Sequence, residues 1–145
     1  RETGLDPACL MLEISERTAQ EDAEQTIDKL RELKSLGVKL AIDAFGTGYC
    51  SLVYLEHSLL DFLKIDRLLV HRKREDDPEG YSKVIDAMTR MAHSLDLTVI
   101  VEGVETEEQL AKLREIGCDM AQGYYFAKPL PSEAIESLLR EDAFS

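Results

Sequence analysis

Short apolar runs and amphipathic stretches take turns along this chain. Leu10–Ser15, Val38–Asp43, Phe62–Asp66, Thr98–Glu102 and Met120–Tyr124 are brief, bounded and largely apolar, the pattern of strands buried on both faces. Between them, apolar positions recur at helical spacing. Thr18 and Glu21 form a capping box ahead of a helix whose face carries Ile27, Leu30, Leu33 and Lys34, and Gly37 stops it. Ser51–Leu55 predicts a short helix, and Arg72–Gly80 a polar loop or the lead-in to the next helix. Val84, Ile85, Met88, Met91, Ala92 and Leu95 stripe a helix over Tyr81–Leu95. Thr106 and Gln109 cap another, which runs through Leu110 and Leu113 to Gly117. Pro129 and Pro131 precede a last helix over Ser132–Leu139.

This alternation predicts an α/β fold with parallel strands joined by crossovers. Five such units fall short of the eight that close a TIM-type (β/α) barrel of about 250 residues. The chain therefore predicts a partial barrel of about five parallel strands, a portion of one domain, with open edges at Leu10–Ser15 and near Met120–Tyr124. Those edges call for the missing half of the barrel or for self-association. A first residue of Arg1 rather than Met is what a piece of a longer protein would show. No repeat at fixed period and no low-complexity tract is visible.

The chemistry lies where the apolar runs are broken. Glu13 interrupts its run, Asp43 closes the second, and Lys64 sits inside the third with Asp66 on the same face two residues on. Glu102 ends the fourth run and Gln122 lies in the fifth. An unpaired buried carboxylate costs several kcal/mol, so acids repeated at strand ends need partners. Two readings satisfy that need: structural ion pairs, such as Lys64 with Asp43 or Asp66, or a divalent cation. The donors are all oxygens, which selects Mg²⁺ or Mn²⁺ over zinc, and a polar rim at the C-terminal ends of parallel strands is where α/β barrels place their sites. His57, His71 and His93 fall outside the strand ends and do not read as ligands. Tyr124, Tyr125 and Phe126 offer either core packing or a stacking surface for a purine.

Composition narrows the choice of partner. With 145 residues, 44% of them hydrophobic, the chain can bury a core of its own. The formal charge is −12, from 29 acidic and 17 basic residues, which opposes binding to nucleic acid or anionic lipid. No apolar run approaches the roughly 18 residues of a membrane-spanning helix, so no membrane contact is expected from this segment. Cys9, Cys50 and Cys118 lack Cys-x-x-Cys spacing, and reduced, buried thiols in a cytoplasmic protein are expected.

Taken together and in order, the motifs resemble the EAL family of cyclic di-GMP phosphodiesterases. They are Leu12-Glu13-Ile14-Ser15-Glu16, Ile42-Asp43-Ala44-Phe45-Gly46-Thr47-Gly48, Leu63-Lys64-Ile65-Asp66, Val101-Glu102-Gly103-Val104-Glu105-Thr106, Gln122-Gly123-Tyr124 and Pro129-Leu130-Pro131. The resemblance implies two-metal hydrolysis of one phosphodiester of cyclic di-GMP to the linear dinucleotide. By it, Glu13 and Asp43 bind metal, with Asp43 bridging, and Lys64 orients or deprotonates the attacking water. Glu102 holds a metal or its water, while Asp66, Gln122 and Tyr124 face the substrate. Glu16 braces the loop of Phe45, Gly46, Thr47 and Gly48, which couples to dimerisation.

Two departures stand out against that family. The Glu-Ala-Leu motif and an Asn ligand belong to the first part of the barrel and are not in this chain. Ala44 stands where the family has a second Asp, and a methyl group holds no cation, so the second metal is weakened. The chain alone is therefore expected to be inactive. Three readings follow: the C-terminal part of a working hydrolase, a degenerate domain that binds cyclic di-GMP or a protein partner, or a dimerising scaffold without ligand.

Overall fold

The computed structural model describes residues 3–15, 23–45, 59–71 and 80–140. Five strands, β1 (Met11–Ser15), β2 (Lys39–Phe45), β3 (Phe62–Ile65), β4 (Thr98–Glu102) and β5 (Met120–Gln122), form one sheet in sequence order. Every neighbouring pair is parallel. The helices between them are α1 (Ala23–Ser35), the single turn α2 (Arg67–Val70), α3 (Gly80–Ser94), α4 (Glu107–Ile116) and α5 (Ser132–Arg140), with a 3-10 turn over Pro7–Cys9 ahead of β1. Each strand neighbours the next in sequence, which is the winding of a (β/α) barrel. Among the described residues β1 and β5 each pair on one side only.

Register divides the sheet into two chemically different faces. In a parallel pair, residues in register point the same way. Leu40, Ile42, Leu63, Ile65, Val99 and Val101 share one face and are almost wholly buried under the helices. That face joins Ile27 and Leu30 of α1, Ile85 and Ala92 of α3 and Leu113 of α4 in one core. The opposite face carries Glu13, Ala41, Lys64, Ile100, Glu102 and Gln122. Apolar side chains thus fix the helix layer, and polar ones are left for the interior of the barrel.

One irregularity lies opposite Lys64. Ile42 pairs with Leu63, but the next partner of Ile65 is Phe45, so Asp43 and Ala44 together span the step opposite Lys64. This bulge turns Phe45 onto the helix-side face, where it is buried. Bulges beside sites re-aim side chains in this way.

Several boundaries differ from the sequence pattern. β2 runs two residues past Asp43, β3 stops before Asp66, and β5 stops at Gln122, after which the Gly123 carbonyl accepts the Phe126 N–H in a turn. Val84 lies on the exposed side of α3 and Leu95 is exposed just past its end; Ile85, Met88, Thr89 and Ala92 face inward. Cys9 is exposed and Cys118 half-buried, so the expectation of buried thiols fails for Cys9. The capping box of Thr18 and Glu21, the helix over Ser51–Leu55, Cys50, and the loop residues 72–79 lie outside the described residues. No helix among the described residues is long and apolar enough to cross a membrane.

Candidate functional site

Three carboxylates from three strands meet one lysine. Lys64 extends from the middle of β3, its side chain 4% exposed, and donates to Glu13 Oε1 at 2.6 Å. Its Nζ stands 2.5 Å from Glu102 Oε1 and 3.9 Å from Asp43 Oδ1. Glu13 lies on β1, two strands from Lys64, and Glu102 on the adjacent β4, so the lysine side chain reaches across β2 to join them. Burial pushes the Lys64 ammonium down, but hydrogen bonds to Glu102 and Glu13 outweigh it and hold the group above the ordinary lysine value. It is fully charged at neutral pH.

The sequence offered ion pairing or a cation as alternative partners for these acids. The structure shows the ion pairs, centred on the ammonium. Among the described residues no group of three His, Cys, Asp or Glu side chains stands close enough to hold a metal ion by itself. The donor set still suits a hard cation, because every candidate ligand is a carboxylate oxygen. Three carboxylates around one ammonium also leave a formal excess of two negative charges. The exposure of Glu13, at 41%, and Asp43, at 35%, leaves that excess open to solvent and to ligands.

The remaining predicted residues are placed less uniformly. Gln122 is in register with Glu102 on the same face, and exposed at the open edge of β5. Asp66 caps α2, its Oδ1 accepting the Leu68 N–H at 2.7 Å. Tyr124 is 61% exposed, with the Lys128 ammonium 5.9 Å above its ring centre. Tyr125 and Phe126 meet edge to face, and Phe126 packs on the core. Phe45 is in the core, while Glu16, Gly46, Thr47 and Gly48 lie outside the described residues. A groove of about 760 Å³ runs beside the open edge, lined by Leu113, Met120, Tyr124, Phe126, Ile135 and Leu138, away from the carboxylates.

His71 is the residue that strand-end reasoning passed over. It follows α2 and reaches the turn after β4, with Nε2 3.0 Å from the Gly103 carbonyl and 3.7 Å from Glu105 Oε1. Its signal in the sequence is faint, because contact across 32 residues leaves no local pattern.

Residues 1–129 match the EAL domain. The chain is 44% identical over 145 residues to the cyclic di-GMP phosphodiesterase NbdA of Pseudomonas aeruginosa, covering 99% of this chain and 18% of that protein. It therefore spans under a fifth of that curated relative's length. The crystal structure of the EAL domain of Mycobacterium smegmatis DcpA superposes with a TM-score of 0.86 at 36% identity, over 97% of this chain and 62% of that one. Klebsiella pneumoniae BlrP1, solved as a manganese and cyclic di-GMP complex, gives a TM-score of 0.77 at 32% identity, over 88% of this chain and 32% of that one. Strand order, the polar inner face and the match over most of its length agree: the chain belongs to the EAL domain family.

Proposed function

We propose that residues 1–145 are the C-terminal portion of a single EAL domain which, when complete, hydrolyses one phosphodiester of cyclic di-GMP to the linear dinucleotide. The observation that carries this is the convergence of Glu13, Asp43 and Glu102 on Lys64 at the polar face of the sheet. Glu13, Asp43 and Glu102 would hold divalent cation, Mg²⁺ or Mn²⁺. Such cations, when bound, activate water and neutralise charge developing on the phosphate.

The residues of this chain do the rest. Lys64 is anchored at two carboxylates, so its ammonium is fixed in position and can orient the attacking water or the phosphate oxygens. Glu102 is hydrogen-bonded through that same ammonium, which sets the direction of its free oxygen. Gln122 flanks the face from β5 and would offer an amide to the nucleotide, and the exposed Tyr124, two residues past the strand, would offer an aromatic ring. Asp66 acts through the backbone, by capping the turn that follows Lys64. The open edges of β1 and β5 would be covered by the N-terminal strands of the same domain, and an isolated copy of this segment would self-associate through them.

A second reading rests on Ala44. With a methyl group where the family carries an acid, the domain would bind cyclic di-GMP without efficient turnover. The test is hydrolysis of cyclic di-GMP by the complete domain in Mg²⁺ or Mn²⁺, alongside Ala44→Asp. Turnover that rises by orders of magnitude in Ala44→Asp supports a hydrolase framework throttled at one position. No metal-dependent turnover in either protein, with retained dinucleotide binding, selects the binding module.

A further inference from the structure

The exits of β3 and β4 are joined twice, and only one of the joints is the Lys64–Glu102 pair. The second lies outside the barrel face. After β3, Asp66 caps the single turn α2, and that turn points His71 back at the residues following β4. His71 Nε2 donates to the Gly103 carbonyl at 3.0 Å, and Glu105 Oε1 lies 3.7 Å from the same nitrogen. Gly103 is the residue directly after Glu102. It has φ +76°, and a Cβ there would stand 2.3 Å from the Arg67 Cβ. The turn after Glu102 is thus pressed against α2 with no room for a side chain, and the imidazole holds it there.

We propose that His71 is a positioning residue, acting through Gly103 to fix Glu102 against Lys64. The reading rests on the role proposed above for Glu102. The mechanics are those of an outer-layer hydrogen bond. A carboxylate at the end of a strand can swing as its turn flexes, and a donor on the next peptide carbonyl restrains that swing. Val104 is also tied to β5 and the turn after it, through its N–H to the Gln122 carbonyl and through the Tyr125 N–H to its own carbonyl. His71 supplies the tie on the opposite side, so the turn is gripped between α2 and β5. Being half exposed, the imidazole contributes little to the core, which separates its positional effect from a general loss of stability.

The test uses the full-length protein that contains this chain, with His71→Leu, which removes the donor, and His71→Gln, which keeps an N–H at similar reach. Backbone amide exchange, Mn²⁺ binding and thermal midpoint are measured for all three proteins. In His71→Leu, exchange at residues 103–106 should rise about five- to tenfold, the worth of one hydrogen bond. The Mn²⁺ dissociation constant should rise about 10- to 100-fold, as for other outer-layer partners of metal ligands. The thermal midpoint should hardly move, and His71→Gln should recover most of both losses. Equal behaviour of the Leu and Gln variants, or unchanged exchange at residues 103–106 in His71→Leu, overturns the proposal. Should the parent protein bind no Mn²⁺, the metal-site reading fails separately. Exchange needs no metal, and it still decides for or against the clamp.

Discussion

Asp61 and Asp119 do the same work two β-α units apart. Each immediately precedes a strand, β3 or β5, and accepts the N–H of the second residue of the strand before it: Leu40 at 2.9 Å, Val99 at 2.8 Å. Each also takes a cationic or polar group from the last turn of the helix that leads into that strand. For Asp61 this is Lys34 at 2.7 Å, and for Asp119 it is His93 at 2.9 Å. In both units a residue with positive φ follows three positions later, Gly37 and Asp96. The device ties helix end, strand start and following strand at the rim opposite the carboxylate cluster. The carboxylate cluster lies at the other rim, which agrees with the usual division between the stabilising and functional ends of a barrel.

Removing the shared acceptor should therefore unfasten three elements at once. Asp61→Ala leaves the Leu40 N–H and two lysines without their partner. It should cost about 2–3 kcal/mol, as expected for hydrogen bonds to a charged group. Asp61→Asn, which keeps an acceptor for Leu40, should cost about half of that. Denaturant unfolding of the domain measures both, and equal costs for Asn and Ala would show that the backbone bond contributes nothing.

The same pair sets the acid limb of stability. Burial pushes the Asp61 carboxyl up, but Lys34, the Leu40 N–H and Lys39 outweigh it and hold it below the usual value. For Asp119 burial acts the same way and the Val99 N–H and His93 overcome it. A group whose pKa is lower folded than unfolded binds fewer protons in the folded state. Its stabilisation is complete above the unfolded value of about 3.9 and is lost as pH falls below it. Stability should thus be flat from pH 7 down to about 5 and fall steeply below about 4. The double variant Asp61→Asn, Asp119→Asn should show lower stability at neutral pH with a shallower acid decline. An unchanged slope would remove these carboxylates from the account.

Asp96 carries the cost of its place in the turn. At φ +58° it adopts a conformation that Gly37 and Gly117 fill at the matching positions of other units. Replacing it with glycine should stabilise the domain by up to about 1 kcal/mol, the net of relieved strain and a more flexible unfolded chain. Gly103→Ala should do the reverse and more strongly, because positive φ combines there with a 2.3 Å approach to Arg67 Cβ; about 2–4 kcal/mol is expected. Thermal melts of the two variants should move in opposite directions.

What the sequence made legible follows from how each feature is written in it. A parallel strand buried on both faces reads as an unbroken apolar run, so all five strands stood out, and the polar interruptions at Glu13, Asp43, Lys64 and Glu102 marked the inner face. The bulge at Asp43–Ala44 was not legible, since an extra residue shows only against the partner strand. Nor was α2, whose single turn is too short for a periodic pattern. Asp61, Asp119 and His71 meet partners 20 or more residues away, so no local pattern marks them. Asp66 would share a face with Lys64 only if β3 ran through it; the strand ends one residue earlier and Asp66 caps α2.

Lys64 gives the sharpest test of the carboxylate cluster. In the parent it is charged, and its pKa lies above the ordinary lysine value, so its stabilisation is complete below pH about 10 and is lost only at higher pH. Lys64→Met removes the only cation that meets Glu13, Asp43 and Glu102 among the described residues and leaves three carboxylates facing one another. At neutral pH this should cost about 3 kcal/mol, the low end for a broken buried pair because Glu13 and Asp43 reach solvent. The pH dependence should then invert over the carboxylate range. Crowded carboxylates take up protons more readily folded than unfolded, so the variant should gain stability as pH falls from 7 towards 5, where the parent stays flat. Millimolar Mn²⁺ should also stabilise the variant, by mass action on the folded state, more than it stabilises the parent, whose ammonium already neutralises part of the charge. Unfolding of the complete domain at pH 5 and 7, with and without Mn²⁺, reads all three effects. A Lys64→Met protein that is insensitive to both proton and cation would mean that the carboxylates do not act as one site.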